Sequence, residues 1–254
     1  MTTAVIVQAR MASTRLPGKV LLEAGGTTFL DHVLTRALAI AGADVVCCAV
    51  PDSADSDPVA DAARRIGVEV FRGSQTDVLD RYWCAAAALK ADVVMRVTSD
   101  CPLIDPTVCA EVLRLRAREG ADYACNNMPP TWPHGLDCEV VTFAWLDRSA
   151  RAAMRPFERE HVTQYVRNHP DSRKANLACP INKVARHRWT LDTPADLAFF
   201  RALFPRLPVG RAAWDWRVPL AAVEADPALA ALNAGQDRDA GLKKSLAEEA
   251  AAKN

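Results

Sequence analysis

The chain has 254 residues, 50% of them hydrophobic and 24% charged, which is enough to bury the core of one large domain and excludes a chain that is disordered throughout. Its 31 Lys and Arg residues balance its 31 Asp and Glu residues, so no overall field favours nucleic acid or an anionic membrane. No apolar stretch approaches the roughly 20 residues of a membrane helix, and no signal peptide opens the chain. We therefore expect a cytoplasmic protein that binds neither nucleic acid nor a membrane.

The eight cysteines do not form a metal-binding or disulfide pattern. They are spread through apolar segments, and no Cys-x-x-Cys pair or Cys/His group has the spacing of a zinc site. Cys47, Cys48, Cys84 and Cys109 are predicted as small core residues. Any bound metal should therefore be held by oxygen ligands.

Short β-branched runs alternate with amphipathic helical stretches over the first half of the chain. We predict strands over residues 5–7, 45–50 and 93–98, and helices over 29–41, 58–66, 78–90 and 106–118. Asp57 and Asp105 precede prolines and are expected to cap their helices. These repeated strand–helix–strand units predict an α/β fold with a Rossmann-like, mostly parallel sheet and helices on both faces. Ligands should then bind in the segments that follow the strands.

The regular alternation of predicted strands and helices ends after Gly120. A loop containing Pro, Trp and Gly leads into a strand predicted over 138–142, followed by helices over 144–153, 157–168 and 194–204. We predict one domain over residues 1–235, with an inserted acceptor-binding or dimerisation region at about 123–165. Residues 236–254 are expected to form a frayed helix or tail.

The loop after the first strand, residues 8–19, carries three cations and two hydroxyl groups. Arg10, Arg15 and Lys19 can oppose the charge of a triphosphate while backbone N–H groups of the loop bind its oxygens. The plain alternative is a solvated basic turn. The loop is not a Walker A motif, because Ser13 stands where the first Gly would be and Val20 follows the lysine.

Two carboxylates follow predicted strands. Asp100 ends the strand within residues 94–105, where a Mg²⁺ ion that bridges protein and phosphates needs an oxygen ligand. Taken alone, Asp100 could be a turn residue before Pro102, and Asp192 could be a helix cap before Pro194. Together they form a chemically sensible ligand pair for Mg²⁺, although nothing in their spacing shows that they meet.

Polar groups in residues 134–139 and 157–163 are the candidates for binding an acceptor. The candidates are His134, Asp137, Glu139, Glu158 and His161. Acidic residues near a loop suit hydrogen bonds to hydroxyls or amines, but those on a helix could equally belong to a salt-bridged surface turn. A Ser/His/Asp hydrolase is excluded because the sequence has no nucleophile elbow.

Six motifs in the same order resemble the cytidylyltransferases of the spore-coat polysaccharide type, which are related to the acylneuraminate and 3-deoxy-manno-octulosonate cytidylyltransferases. They occupy residues 8–19, 77–82, 96–105, 135–140, 158–163 and 191–194. The first, Gln-Ala-Arg-Met-Ala-Ser-Thr-Arg-Leu-Pro-Gly-Lys, is specific, and six motifs in order make coincidence improbable.

The resemblance implies a fold of the nucleotide-diphospho-sugar transferase type, CTP as donor, and Mg²⁺ held by Asp100 and Asp192. It implies catalytic roles for Arg10, Lys19 and Asp100, and nucleotide contacts from Gln8, Ala9, Arg10, Ser13, Arg15, Lys19, Arg96 and Ser99. Ser99 departs from the relatives, which usually carry glycine there. A homodimer is also implied, and the insert around Trp132 is our candidate interface.

We therefore expect a Mg²⁺-dependent enzyme that transfers CMP from CTP to a small anionic acceptor, such as a sugar acid, and releases pyrophosphate. Two alternatives stay open. One is a different transferase on the same fold, directed to another nucleotide, a nucleotide sugar or a phosphonate. The other is a nucleotide-binding module without catalytic activity.

Overall fold

The computed structural model describes residues 1–210, 212–238 and 240–251. The strands are β1 (Thr3–Gln8), β2 (Glu23–Ala24), β3 (Thr27–Thr28), β4 (Val45–Pro51), β5 (Glu69–Gly73), β6 (Val93–Thr98), β7 (Tyr123–Cys125), β8 (Glu139–Thr142) and β9 (Lys174–Asn176). The α-helices are α1 (Phe29–Leu38), α2 (Asp57–Ile66), α3 (Val78–Ala88), α4 (Pro106–Arg118), α5 (Phe143–Ala152), α6 (Pro156–Glu160), α7 (Gln164–Asn168), α8 (Pro194–Leu203), α9 (Arg217–Ala225), α10 (Pro227–Ala231) and α11 (Ala240–Ala251). None of these helices is long and apolar enough to cross a membrane.

Seven strands form one sheet in the order β5-β4-β1-β6-β8-β7-β9. The pairs around the central strand β1 are parallel, and β8 alone runs antiparallel to its two neighbours, β6 and β7. The predicted mostly parallel α/β sheet is therefore confirmed. Gln8 lies opposite Thr98 at the carboxyl ends of β1 and β6, so the segments after these two strands begin side by side.

Helices cover both faces of the sheet because its central strands are apolar on both sides. Val5 and Val7 pack into one core cluster, whereas Ala4 and Ile6 pack into the other, as the two-residue period of a strand requires. A third cluster contains Trp189, the phenylalanines of α8 and the tryptophans before α9. It anchors the chain that follows the sheet against the loop after β1.

The helix caps agree in part with the sequence prediction. The carboxylate of Asp105 accepts hydrogen bonds from the amides of Thr107 and Val108 and caps α4, as predicted. Thr193 caps α8. Asp57 is instead the first residue of α2 and pairs with Arg72, so its predicted role as a cap is wrong.

Three of the four cysteines predicted in the core are buried there. Cys47, Cys48 and Cys109 are inaccessible to solvent, whereas Cys84 is only partly buried.

The region after residue 120 differs from the prediction in three respects. Strands β7 and β8 are part of the main sheet, so this region extends the sheet edge. The single helix predicted over 157–168 is two short helices, because Val162 adopts a φ of 61° and breaks the helical path. Trp132 is 4% exposed and packs edge-on against Trp216. Its ring therefore belongs to the core and is not available for the predicted contact with a partner subunit.

Gly135→Ala is expected to lower the free energy of unfolding by about 2 to 3 kcal/mol. Gly135 has a φ of 110°, and a Cβ atom there would lie 2.1 Å from the carbonyl oxygen of Trp189. Denaturant unfolding followed by circular dichroism measures the loss. Gly67→Ala is the matched control, because Gly67 has a φ of 90° but no atom within 4 Å of an added Cβ. An equal loss of unfolding free energy in the two variants would show that the close contact between the added Cβ and the Trp189 carbonyl does not matter.

Candidate functional site

A pocket of about 380 Å³ opens at the carboxyl ends of β1 and β6. The loop after β1, the first turns of α3, the end of β6 and the residue Asp192 before α8 supply most of its wall, and α6 and α11 supply the rest. Of the residues proposed from sequence, it brings together Gln8, Ala9, Arg10, Ser13, Arg15, Lys19, Arg96, Ser99, Asp100, His161 and Asp192. The first six of these belong to one continuous segment, residues 8–19.

The loop after β1 is closed by its own backbone. Gly18 adopts a φ of 65°, and its amide donates to the carbonyl of Met11 at 3.1 Å. The hydroxyl oxygen of Ser13 accepts from the amide of Leu16 at 3.3 Å. This turn returns the chain to the sheet edge, so Lys19 enters the same pocket as Arg10.

Lys19 joins the two carboxylates that the sequence spacing left unconnected. Its Nζ donates to Asp100 Oδ2 at 3.2 Å, to Asp192 Oδ1 at 3.0 Å and to the carbonyl of Leu191 at 2.8 Å. Arg15 also pairs with Asp192. The structure therefore places both predicted metal ligands within reach of one ammonium group.

These contacts fix the charges of the site. Burial works against the charge of Lys19, but Asp100 and Asp192 outweigh it and raise the lysine pKa. Burial likewise opposes ionisation of Asp100, yet Lys19 holds the pKa of that carboxyl well below its usual range. At neutral pH the centre of the pocket therefore holds a charged lysine and a charged carboxylate.

The donor set fits a hard divalent cation. The side chains of Asp100 and Asp192 are 30% and 22% exposed, so both carboxylates open onto the pocket. Within residues 1–210, 212–238 and 240–251 there is no group of three or more His, Cys, Asp and Glu side chains that could hold a metal. Two carboxylates suit Mg²⁺, which takes its remaining ligands from phosphate oxygens and water.

Three residues of the lining carry buried polar atoms without a hydrogen-bond partner. They are Gln8 Oε1, Arg81 Nε and Arg96 Nε. Arg81 is 2% exposed and was not proposed from sequence, although it lies in the motif 77–82. Because buried polar groups are nearly always paired, these three atoms at the pocket floor are candidates for contact with a ligand.

A family model described as cytidylyltransferase matches residues 4–197. The chain belongs to the cytidylyltransferase family. The spore coat polysaccharide biosynthesis protein SpsF of Bacillus subtilis is 35% identical over 208 residues, which cover 79% of this chain and 85% of that protein. The matched residues include the parts of the pocket wall that precede α11.

Solved structures share the fold over most of the chain. A cytidylyltransferase from Leptospira borgpetersenii is 28% identical, with a TM-score of 0.86 over 93% of this chain and 98% of that one. A CMP:2-keto-3-deoxy-manno-octonic acid synthetase described in complex with CTP is 21% identical, with a TM-score of 0.63 over 81% of this chain and 99% of that one. A Mycobacterium tuberculosis protein described as a manganese complex is 16% identical, with a TM-score of 0.57 over 79% and 98% of the two chains. The last two likenesses show the nucleotide-diphospho-sugar transferase fold.

Ser99 fits its position without backbone strain. It is buried in the pocket lining, and its amide donates to the carbonyl of Gln8 at 3.1 Å. Among the described non-glycine residues, a positive φ occurs at Lys90, Val162 and Lys183, so the backbone at Ser99 does not demand glycine.

In this member of the family, Glu139 lies behind the pocket and holds Arg96. Its carboxylate accepts from Arg96 Nη1 at 2.5 Å, from Tyr123 Oη at 2.5 Å and from Thr163 Oγ1 at 2.6 Å. Although burial opposes the charge of Arg96, Glu139 raises the arginine pKa. Glu139 is therefore placed to orient Arg96, and its carboxylate is already occupied by protein donors.

Three other acceptor candidates lie outside the pocket lining. His134 Nδ1 is 3.4 Å from Arg188 Nη1. Asp137 accepts from Arg238 Nη2 at 2.6 Å, and Glu158 accepts from the amide of Arg155 at 3.4 Å. Their predicted contact with an acceptor thus stays a prediction, and of the acceptor candidates only His161 reaches the lining.

Asp196 was missed by the sequence reasoning although it supports the loop that carries Asp192. Its buried carboxylate accepts from the amides of Asp192 and Thr193 at 3.0 and 2.9 Å and from both Nε and Nη2 of Arg188. The only local signal is the Thr-Pro-x-Asp capping pattern at the start of α8. Asp196 thereby fixes the backbone from which Asp192 reaches Lys19.

Proposed function

We propose that this chain transfers CMP from CTP to a hydroxyl group of a small anionic acceptor, a sugar acid or a similar compound. The observation that carries the proposal is the floor of the pocket, where unpartnered buried polar atoms lie beside a loop with three cations. The floor of this pocket suits a nucleobase, and the loop with three cations suits a triphosphate.

The proposed reaction is an in-line displacement at the α-phosphorus of CTP. A bond forms between the acceptor oxygen and the α-phosphorus, and the bond from that phosphorus to the oxygen bridging to the β-phosphate breaks. Pyrophosphate leaves with that oxygen, and the hydroxyl proton passes to water. Lys19 and Arg15 face the departing charge, and Arg10 adds a third cation along the same loop.

Asp100 and Asp192 would hold Mg²⁺, which when bound neutralises phosphate charge and orients the triphosphate. Lys19 keeps the pKa of the Asp100 carboxyl low and also donates to Asp192, and Asp196 keeps the backbone of Asp192 in place. The mycobacterial relative described with manganese supports a divalent cation in this fold.

The chemistry of the floor favours cytosine over uracil. Cytosine offers an exocyclic amino donor and two acceptors, the ring nitrogen N3 and the carbonyl oxygen O2, whereas uracil has a carbonyl in place of the amino group. Gln8 Oε1 can accept from the amino group, and Arg81 Nε can donate to a ring acceptor. A site built to pair with such groups rejects an analogue that leaves them unpaired.

Pyrophosphate release with each of the four nucleoside triphosphates, Mg²⁺ and a panel of sugar acids and phosphonates tests the proposed function. We expect release with CTP that requires a sugar acid. Release that is equal for all four triphosphates would overturn the assignment to CTP. Tight binding of CTP without release with any acceptor would indicate a nucleotide-binding module instead.

Arg81→Lys is expected to weaken CTP binding about tenfold and to reduce the preference for CTP over UTP, since a lysine keeps the charge but loses the planar donor group. Isothermal titration with CTP and UTP measures both effects. Arg159→Lys is the matched control, because Arg159 pairs with Asp77 at 2.5 Å nearby but does not line the pocket. An Arg81 variant with unchanged selectivity would contradict its contact with the base.

A further inference from the structure

The last described helix, α11, forms one wall of the pocket. Gly241, Ser245 and Glu248 follow one another at spacings of four and three residues, which places them on one helix face, and all three line the pocket. This helix lies beyond residues 4–197, the part matched by the family model. The sequence prediction of a frayed helix or tail therefore falls on a segment that the structure docks against the active-site pocket.

Three polar contacts attach α11 to the region around α6. Ser245 Oγ donates to Glu160 Oε2 at 2.7 Å and lies 3.0 Å from His161 Nε2. One turn further along α11, Glu249 accepts from Arg155 Nε at 2.9 Å. Ser245 and Glu249 are 9% and 6% exposed, so α11 is held by buried polar groups directly beside the pocket.

The groups on this side of the pocket suit a ligand rich in hydroxyl groups. Glu160 and Glu248 offer carboxylate acceptors, and the Ser245 hydroxyl, whose proton is donated to Glu160, can accept from a hydroxyl group of the ligand. Burial lowers the pKa of His161, and the charge of Arg96 lowers it further, so the imidazole is neutral at pH 7. The neutral imidazole, like the carboxylates, can form hydrogen bonds with hydroxyl groups. Because it carries no negative charge, it repels an anionic group of the ligand less strongly than another carboxylate would.

The same side also offers a cation for one negative group. Arg96 pairs with Glu139 through Nη1, while its Nε is buried without a partner and the side chain lines the pocket. Arg96 lies on β6 between β1 and β8, whereas Gln8 ends β1 and Arg81 lies on α3. The floor groups assigned to the nucleotide and the cation on β6 therefore come from different elements of the pocket wall.

We propose that α11 completes the acceptor subsite and that Ser245 and Glu248 are specificity-determining residues for a polyhydroxy carboxylic acid. The hydroxyl groups of the acid contact Glu160, Ser245 and Glu248, and its carboxylate faces Arg96. This inference rests on the proposed function, because it assigns the other side of the pocket to the nucleotide.

Direct titration of the full chain tests the inference without any turnover. The probes are 3-deoxy-manno-octulosonate, mannose as a hydroxyl-rich neutral sugar, and pyruvate as a carboxylate without the polyol. We expect the sugar acid to bind at least tenfold more tightly than either comparator. Glu248→Gln and Ser245→Ala should each weaken its binding three- to tenfold and leave the Kd for CTP unchanged. Leu246→Ala, on the same helix but outside the lining, should change neither affinity.

Three results would overturn the inference. They are unchanged sugar-acid affinity in the Glu248 and Ser245 variants, equal binding of all three probes, and an equal loss of sugar-acid and CTP affinity. Because Glu248 is exposed, its variant should fold, which a thermal melt checks. Failure of the wild-type chain to bind CTP would contradict the proposed function alone, since titration of the sugar acid without nucleotide still decides the role of α11.

Discussion

Asp100→Asn is expected to lower kcat/KM for CTP by roughly 10²- to 10³-fold, about 2.7 to 4 kcal/mol of transition-state stabilisation. Asparagine keeps the shape of the side chain but removes one of the two negative charges that would bind Mg²⁺. The amide oxygen can still accept from Lys19, so the fold should be retained. Initial rates of pyrophosphate release with CTP and the active acceptor measure the loss.

Asp61→Asn is the matched control for this variant. Asp61 is an exposed carboxylate on α2 that pairs with Arg64 at 2.8 Å, far from the pocket lining, so its replacement should leave the rate unchanged. A second measurement is independent of turnover: Mg²⁺ should raise the melting temperature of the wild-type chain through binding, and this rise should disappear in Asp100→Asn. An Asp100 variant that keeps both its rate and its response to Mg²⁺ would contradict the metal assignment.

Lys19→Ala is expected to reduce turnover by a similar factor, again roughly 10²- to 10³-fold. The variant removes a cation that faces the departing pyrophosphate, and it also leaves Asp100 and Asp192 without the ammonium that joins them. Steady-state kinetics should show a fall in kcat together with weaker CTP binding. Arg64→Ala, which removes an exposed cation from α2, is the control and should be neutral.

The stability of the Lys19 variant should depend on pH in a defined direction. In the wild type, Lys19 depresses the pKa of Asp100 below the value of 3.8 expected for a free aspartate. This pairing therefore stabilises the fold above that pKa and is lost as the pH falls toward the depressed value. Thermal melts should show the largest difference between wild type and Lys19→Ala at pH 5 to 7 and a smaller one below pH 4. A difference that grows on acidification would contradict the pairing.

The sequence predicted the elements whose signals are local. Helix α4 was predicted with the observed bounds because Asp105, Pro106 and a regular apolar spacing define it within one segment. The pocket loop was also recognised, since its three cations lie within ten residues of each other. Such features depend on neighbouring residues and can be recognised before any tertiary contact is known.

Features that depend on distant contacts were not predictable in this way. The break at Val162 places Thr163 on Glu139, and no local breaker such as Gly or Pro marks it. Glu139 looks like an acceptor ligand in the sequence because its partner Arg96 lies on another strand. The docking of α11 depends on Ser245 meeting α6, and the composition of that helix alone favours a solvated tail.

The central claim is that CMP moves from CTP to an anionic acceptor, and the most direct test follows the α-phosphorus. Wild-type chain is incubated with Mg²⁺, a sugar acid and CTP that is radiolabelled at the α-phosphate, and the products are separated by anion exchange. We predict that the label appears in a new ester of CMP with the sugar acid, together with unlabelled pyrophosphate. Label that remains in CTP, or that appears only in free CMP or CDP, would contradict cytidylyl transfer.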